Sequence, residues 1–282
     1  MGGGTAVPGM PQGATAAGVV AKASQPAVVF LHGIGGAARI WAPQQRSFAQ
    51  AGFRPFAIDL PGYGTRPPVD VLDFEMLAQD TEAAIARAGL DHPIIVGHSM
   101  GGMIAQTMLR RRPQSYRSVV LACTSPAFGS SSGEFQKKFL ADRLGPLDSG
   151  RSMPELAAEI VDALIGPACD PSGRTLAVDC MAAVPASTYR ASVHCLIPFD
   201  ERGNLGRIEV PVLCLAGEHD RNAPTAMMER MAAKIPGARY VCLSGVGHLA
   251  NLESPDRFNR AILDFLREAL PRTAAGNETR HA

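Results

Sequence analysis

The chain is predicted to be an α/β protein on a mostly parallel sheet, with a block of helices inserted between two strands. Three observations carry this. Short apolar runs alternate with longer amphipathic patterns, as βαβ units require. The alternation stops between Pro126 and Ile208. The composition, with 46% apolar and 19% charged residues in 282, is that of a chain able to bury a sizeable core.

Taken in order, residues 1–25 are Gly/Ala-rich, with no basic start and no sustained apolar segment. They read as disordered rather than as a secretory signal. The core is expected over 26–125 and 209–272. Its strands are Ala27–Leu31, Arg54–Ile58, Pro93–Val96, Ser118–Cys123, Val212–Ala216 and Arg239–Leu243. Its helices are Phe74–Ala88, Gly101–Arg111, Ala223–Ile235 and Pro255–Ala269. In the last, Phe258, Ile262, Phe265 and Leu266 recur at helical spacing and define a buried face, while Ser254 and Pro255 suit the cap and first-turn positions. Residues 126–208 are broken by Gly145-Pro146, Gly166-Pro167 and Pro171-Ser172-Gly173, and their apolar residues fit short helices such as Pro154–Leu164. This is the expected helical cap, its glycines serving as hinges. The tail, 273–282, reads as disordered.

Charge excludes several partner classes. Lys and Arg (27) nearly cancel Asp and Glu (26), so no long-range field favours nucleic acid or a membrane surface. The one basic run, Arg110–Arg112, closes a helical pattern, where cations complement the helix dipole. The six Cys form no C-x-x-C pair and no zinc spacing, and Cys123, Cys214 and Cys242 fall in strand-like runs as small buried hydrophobes. A reduced, metal-free, cofactor-free cytoplasmic protein is expected.

The chemistry lies at strand ends. Gly97-His98-Ser99-Met100-Gly101 satisfies G-x-S-x-G between a strand and a helix, the setting in which a nucleophile is lifted out of the sheet on a strained turn. A serine hydroxyl needs a base oriented by a carboxylate. Of seven His, His248 stands in a glycine-rich loop after the last strand and is the best base; His98 reads as a spacer within the turn. Asp220 is preferred as the acid, with Glu218 the alternative, because the loop beyond Gly217 gives it reach. No acid follows Cys123. The Met100 N–H supplies one oxyanion donor and the Ile34 N–H the other, with Gly33 as alternative, in His32-Gly33-Ile34-Gly35-Gly36. That glycine-rich turn lacks the residues of a phosphate or dinucleotide loop.

In this order and spacing, His32-Gly33, Gly97–Gly101, Asp220 and His248 resemble the α/β-hydrolase superfamily from about Ala27 to Leu270. Within it, Ile235–Tyr240, His248–Glu253 and Val184–Asp200 are similar to 3-oxoadipate enol-lactonase and related bacterial esterases and lactonases. The resemblance implies Ser99 as nucleophile, His248 as base and Asp220 as orienting acid, a small ester or lactone substrate, and a setting in aromatic-compound breakdown. Trp41, Met103, Phe128, Tyr189, His194 and Leu249 are candidate pocket residues, and Arg190 a candidate for a substrate carboxylate; ordinary packing is the plain alternative for each. A C–C hydrolase of ring-cleavage products would use the same three residues, though such enzymes resemble one another in carrying Asn where His98 stands. A receptor on a hydrolase scaffold is a reading from another class. Ser99 excludes enzymes that need Asp there.

Overall fold

The computed structural model describes Met1, residues 25–129 and residues 133–270, so the segments read as disordered lie outside the described residues apart from Met1 and Gln25. The sheet is formed by β1 (Ala27–Leu31), β2 (Arg54–Ile58), β3 (Ile94–His98), β4 (Ser118–Ala122), β5 (Val212–Gly217) and β6 (Arg239–Leu243). All neighbours are parallel, in the order β2-β1-β3-β4-β5-β6. Strands β1, β3, β4 and β5 are buried at every residue, as expected where crossover helices cover both faces of a parallel sheet. The edge strands are more open. On β6, Cys242 is exposed rather than buried, because an edge strand has no neighbour on one side.

Between the strands run α1 (Ala42–Gln50), α2 (Phe74–Arg87) and α3 (Met100–Arg111), followed after β4 by α4 (Glu134–Asp148), α5 (Met153–Asp162), α6 (Pro171–Ala182) and α7 (Ala186–Leu196). The chain then adds α8 (Thr225–Lys234), α9 (Ala250–Glu253) and α10 (Pro255–Ala269). The chain steps one way across the sheet from β1 to β2 and the other way from β2 to β3 and β4, so right-handed crossovers place α1 on one face and α2 and α3 on the other. Helix α10 packs on α1 and buries Phe258, Ile262, Phe265 and Leu266, the face its spacing predicts. Ser254 and Pro255 do open α10, but the Ser254 side chain makes no capping bond. Arg110 and Arg111 do more than face a helix dipole: both pair with Glu75, Arg111 also with Glu82, and Arg110 with Glu201.

Reversal at β1 opens a crevice beyond the C-terminal ends of β1 and β3, the usual ligand position in such sheets. Helices α4–α7 enter the chain between β4 and β5. Their neck is a short antiparallel bridge, Ala127 with Asp200, in which the Phe128 N–H donates to Phe199 at 2.9 Å and the Glu201 N–H to Pro126 at 2.8 Å.

The expected breakers behave differently. Helix α4 runs through Gly145 and Pro146, with the proline in its last turns. Gly166 and Gly173 are not hinges but points of close approach: a Cβ would stand 2.6 Å from the Gly245 oxygen and 2.0 Å from the Leu252 oxygen, respectively. Backbone bonds run along the same seam. The His248 N–H donates to Leu164 at 2.7 Å, the Ala168 N–H to Gly245 at 3.0 Å and the Asp170 N–H to Glu253 at 3.0 Å.

Candidate active site

Ser99 sits between β3 and α3 at φ 53°, ψ −119°, a conformation rare for a residue with a side chain and stored only where the surroundings enforce it. They do so here. The Ser99 N–H donates to Ala122 at 2.9 Å, and its carbonyl accepts the Thr124 hydroxyl at 2.8 Å. The turn fits because Gly97 and Gly101 lack side chains; a Cβ on Gly101 would stand 2.2 Å from the Leu31 oxygen, and one on Gly97 would stand 2.4 Å from Gly101.

His248 reaches this serine from the loop after β6, its Nε2 3.0 Å from Ser99 Oγ. Its Nδ1 lies 2.8 Å from Asp220 Oδ2. A carboxylate only accepts, so Nδ1 carries the proton and Nε2 is left to accept from the serine hydroxyl. The other Asp220 oxygen takes the amides of Asn222 at 2.8 Å and Ala223 at 2.9 Å. Burial alone would push this carboxyl up, but the His248 charge and hydrogen bond and the two amides outweigh it and hold it below the usual range. Glu218, the alternative acid, points elsewhere: it accepts from Ser244 Oγ and the Gly245 N–H, both at 2.7 Å, and bridges the loop that leads to His248.

Two further residues steady His248. His98 is buried, and its Nε2–H donates to the His248 carbonyl at 2.7 Å, with the two rings 5.1 Å apart. Glu253, 1% exposed, accepts from Gly166 at 2.7 Å, from Gly247 at 2.8 Å and from Leu249 at 2.8 Å, gripping the amides on both sides of His248 and one from the inserted segment. Replacing Glu253 with alanine leaves three backbone donors, one buried and two part-buried, without their acceptor. At about 1–3 kcal/mol per orphaned group the loss is on the order of 3 kcal/mol or more, read as a lowered urea midpoint. A midpoint unchanged within 0.5 M would contradict the clamp.

Facing the serine, the loop after β1 is held by His32, whose Nδ1–H donates to the Gly33 carbonyl at 2.8 Å and whose Nε2 accepts the Leu60 N–H at 3.1 Å. The turn closes through the Gly36 N–H to Gly33 at 3.1 Å. Among the described residues, no backbone acceptor takes the Ile34 or Met100 amide. Burial pushes His32 down to about 4, and burial with the nearby His248 charge pushes His98 down to about 3. Both are therefore neutral in the folded protein, whereas in the unfolded chain they take up protons near pH 6.5. Folding stability should be full above that pH and fall as pH drops from about 6.5 towards 4, by up to about 1.4 kcal/mol per unit for each imidazole. Urea midpoints across this window check it; His98→Gln should flatten the fall, and an equally steep fall would contradict it.

Above Ser99 lies a cavity of about 240 Å³ roofed by the inserted helices. Of the candidate pocket residues Met103, Phe128 and Tyr189 line it, together with Ile34 and with Phe135, Phe139, Arg143, Val193 and Leu196, which the sequence did not single out. Trp41 does not line it. The short turn Ala38–Trp41 carries its ring inward, fully buried 5.1 Å from Phe30 and 6.1 Å from Phe258. His194 is exposed on α7, on another face from Tyr189 and Val193. Leu249 borders a separate crevice of about 20 Å³ beside Gly33–Gly36. Arg190 pairs with Asp148 outside the cavity. Among the described residues, no group of three or more His, Cys, Asp or Glu side chains is gathered as a metal site, and no helix is long and apolar enough to cross a membrane.

Residues 28–261 match a family model described as the alpha/beta hydrolase family. The AB hydrolase superfamily protein YisY of Bacillus subtilis is 28% identical over 247 residues, which cover 84% of this chain and 90% of that protein. Two solved structures are similar in both sequence and shape. The enol-lactonase from Burkholderia xenovorans superposes with a TM-score of 0.76 at 25% identity, covering 86% of this chain and 92% of its own. A hydrolase from Pseudomonas aeruginosa gives 0.76 at 27%, covering 86% and 91%.

Proposed function

The chain belongs to the alpha/beta hydrolase family, and from that premise we propose that it is a serine hydrolase that cleaves a carboxylic ester or lactone through an acyl-enzyme. The observation that carries this reading is the continuous run of hydrogen bonds from Ser99 through His248 to Asp220, opening at the floor of a largely apolar cavity. Similarity to an enol-lactonase supports the bond type.

In this reading His248 takes the Ser99 proton as Oγ attacks the substrate carbonyl. The negative charge that forms on the carbonyl oxygen is met by the Ile34 and Met100 amides, the latter at the N-terminus of α3, where the helix dipole also favours an anion. Collapse expels the alcohol or enol, which His248 protonates. Water then repeats the attack on the acyl-serine and releases the acid. Asp220 stays ionised throughout, fixing the imidazole tautomer and stabilising its charged form. Residues 126–208 act as the cap that excludes water and selects the substrate.

The test has two parts. A fluorophosphonate probe should leave one adduct, on the peptide that contains Ser99. A panel of nitrophenyl esters, lactones and ring-cleavage products should yield many turnovers per chain on one of the first two classes. Labelling with a single turnover at most would make the protein a receptor. Faster cleavage of the ring-cleavage products would make it a C–C hydrolase.

A further inference from the structure

Two cations for which the mechanism has no use stand at the cavity wall, one half-buried and one exposed. Arg143 of α4 and Arg221, which follows Asp220, both line it. Among the described residues neither is in an ion pair, although Arg151, Arg174, Arg190 and Arg202 of the same insertion each pair with a carboxylate. The cavity's two carboxylates pair elsewhere, Asp142 with Lys138 at 2.8 Å and Asp220 with His248. Arg143 is half-buried, and its guanidinium lies over the Phe139 ring, 5.5 Å from the centroid. Phe139 in turn packs edge-on against Phe128, at 4.8 Å. The guanidinium also donates a hydrogen bond to the Tyr189 phenol, and burial pushes that phenol up against the opposing pull of this charge and hydrogen bond.

This environment has consequences. A partly desolvated guanidinium wants a charged acceptor; Phe139 and the Tyr189 phenol meet part of this one, and with five N–H donors it has others left for a ligand. A carboxylate matches a pair of them with two parallel hydrogen bonds. We propose that Arg143, with Arg221 as a second positive charge, binds a carboxylate borne by the ester or lactone substrate, so that the preferred substrate is an anion with its charge a few carbons from the scissile carbonyl.

This inference rests on the hydrolase reading above, and its test separates the two. Two pairs of esters have the same shape with and without the charge. Monomethyl glutarate and methyl 5-methylhexanoate place it on the acyl side; butyryl glycolate and isobutyl butyrate place it on the alcohol side. The protein should prefer the charged member of at least one pair. Arg143→Met should lower the charged-to-neutral ratio of kcat/KM by about tenfold or more, the worth of a hydrogen bond to a charged group. Arg143→Lys, which keeps the charge, should retain part of the preference, and Arg190→Gln should leave the ratio unchanged. Preference for the neutral member in both pairs, or equal loss for charged and neutral esters in Arg143→Met, would overturn the proposal. The same pairs titrated calorimetrically into Ser99→Ala protein, with and without Arg143→Met, give a readout that needs no turnover. Charge-selective binding without hydrolysis would sink the hydrolase reading alone; binding blind to charge would sink this one.

Discussion

Ser99→Ala protein should fold normally and turn over esters about five to six orders of magnitude more slowly than the native chain, as when the nucleophile of such a relay is removed. The loss belongs in kcat, because the cavity walls proposed to bind the ester are untouched. Alanine inherits the backbone conformation at φ 53°, so the substitution removes a hydroxyl without releasing the strain of the turn, worth on the order of 1–3 kcal/mol. Ser99→Gly would release it and should be the more stable of the two. Urea midpoints measured beside kcat separate the effects. Activity within tenfold of the native chain in either variant would mean that the nucleophile is elsewhere.

Asp220→Asn should lower kcat by about 10⁴ with little change in KM, and the structure specifies why. The Asn222 and Ala223 amides both donate to Oδ1, so an asparagine at this position must keep its carbonyl oxygen there and turn its NH2 towards His248. That NH2 can only donate, which moves the imidazole proton from Nδ1 to Nε2 and aims a donor at a serine that needs an acceptor. Glu218→Gln should be mild by comparison, since Glu218 braces a loop from outside the site. A larger kcat loss in Glu218→Gln than in Asp220→Asn would reverse the assignment of the acid.

What the sequence made legible is what depends on neighbours in the chain. The apolar runs of β1, β3, β4 and β5 and the helical spacing in α10 reflect burial of single elements, and the glycines around Ser99 reflect the steric demands of one turn. What stayed hidden depends on partners far along the chain. Glu253 matters because it meets an amide 87 positions away, and His98 because its ring reaches a carbonyl 150 positions on; neither residue has a local pattern that announces such a partner. Closeness in sequence to the Ile34 loop says nothing of the direction of the Trp41 ring, which turns inward against Phe30 and Phe258. His194 had an available correction. Tyr189, Val193 and Leu196 follow one another by four and three residues and share a helical face, whereas His194 falls outside that spacing.

The seam between the inserted segment and the loop of His248 limits how this scaffold can be recombined. Residues 164–173 and 245–253 meet backbone to backbone, with no side chains between them at Gly166 and Gly173 and with Glu253 bonded to amides in both. An exchange of helices made only at the bridge of Ala127 and Asp200 would bring a foreign backbone against this loop, and any β-carbon arriving at those contacts would displace the strand of chain that positions His248. A transferable unit of this scaffold therefore consists of two separate stretches of sequence, the inserted helices and the nine residues from Gly245 to Glu253, moved together so that the new helices arrive with the loop moulded to them.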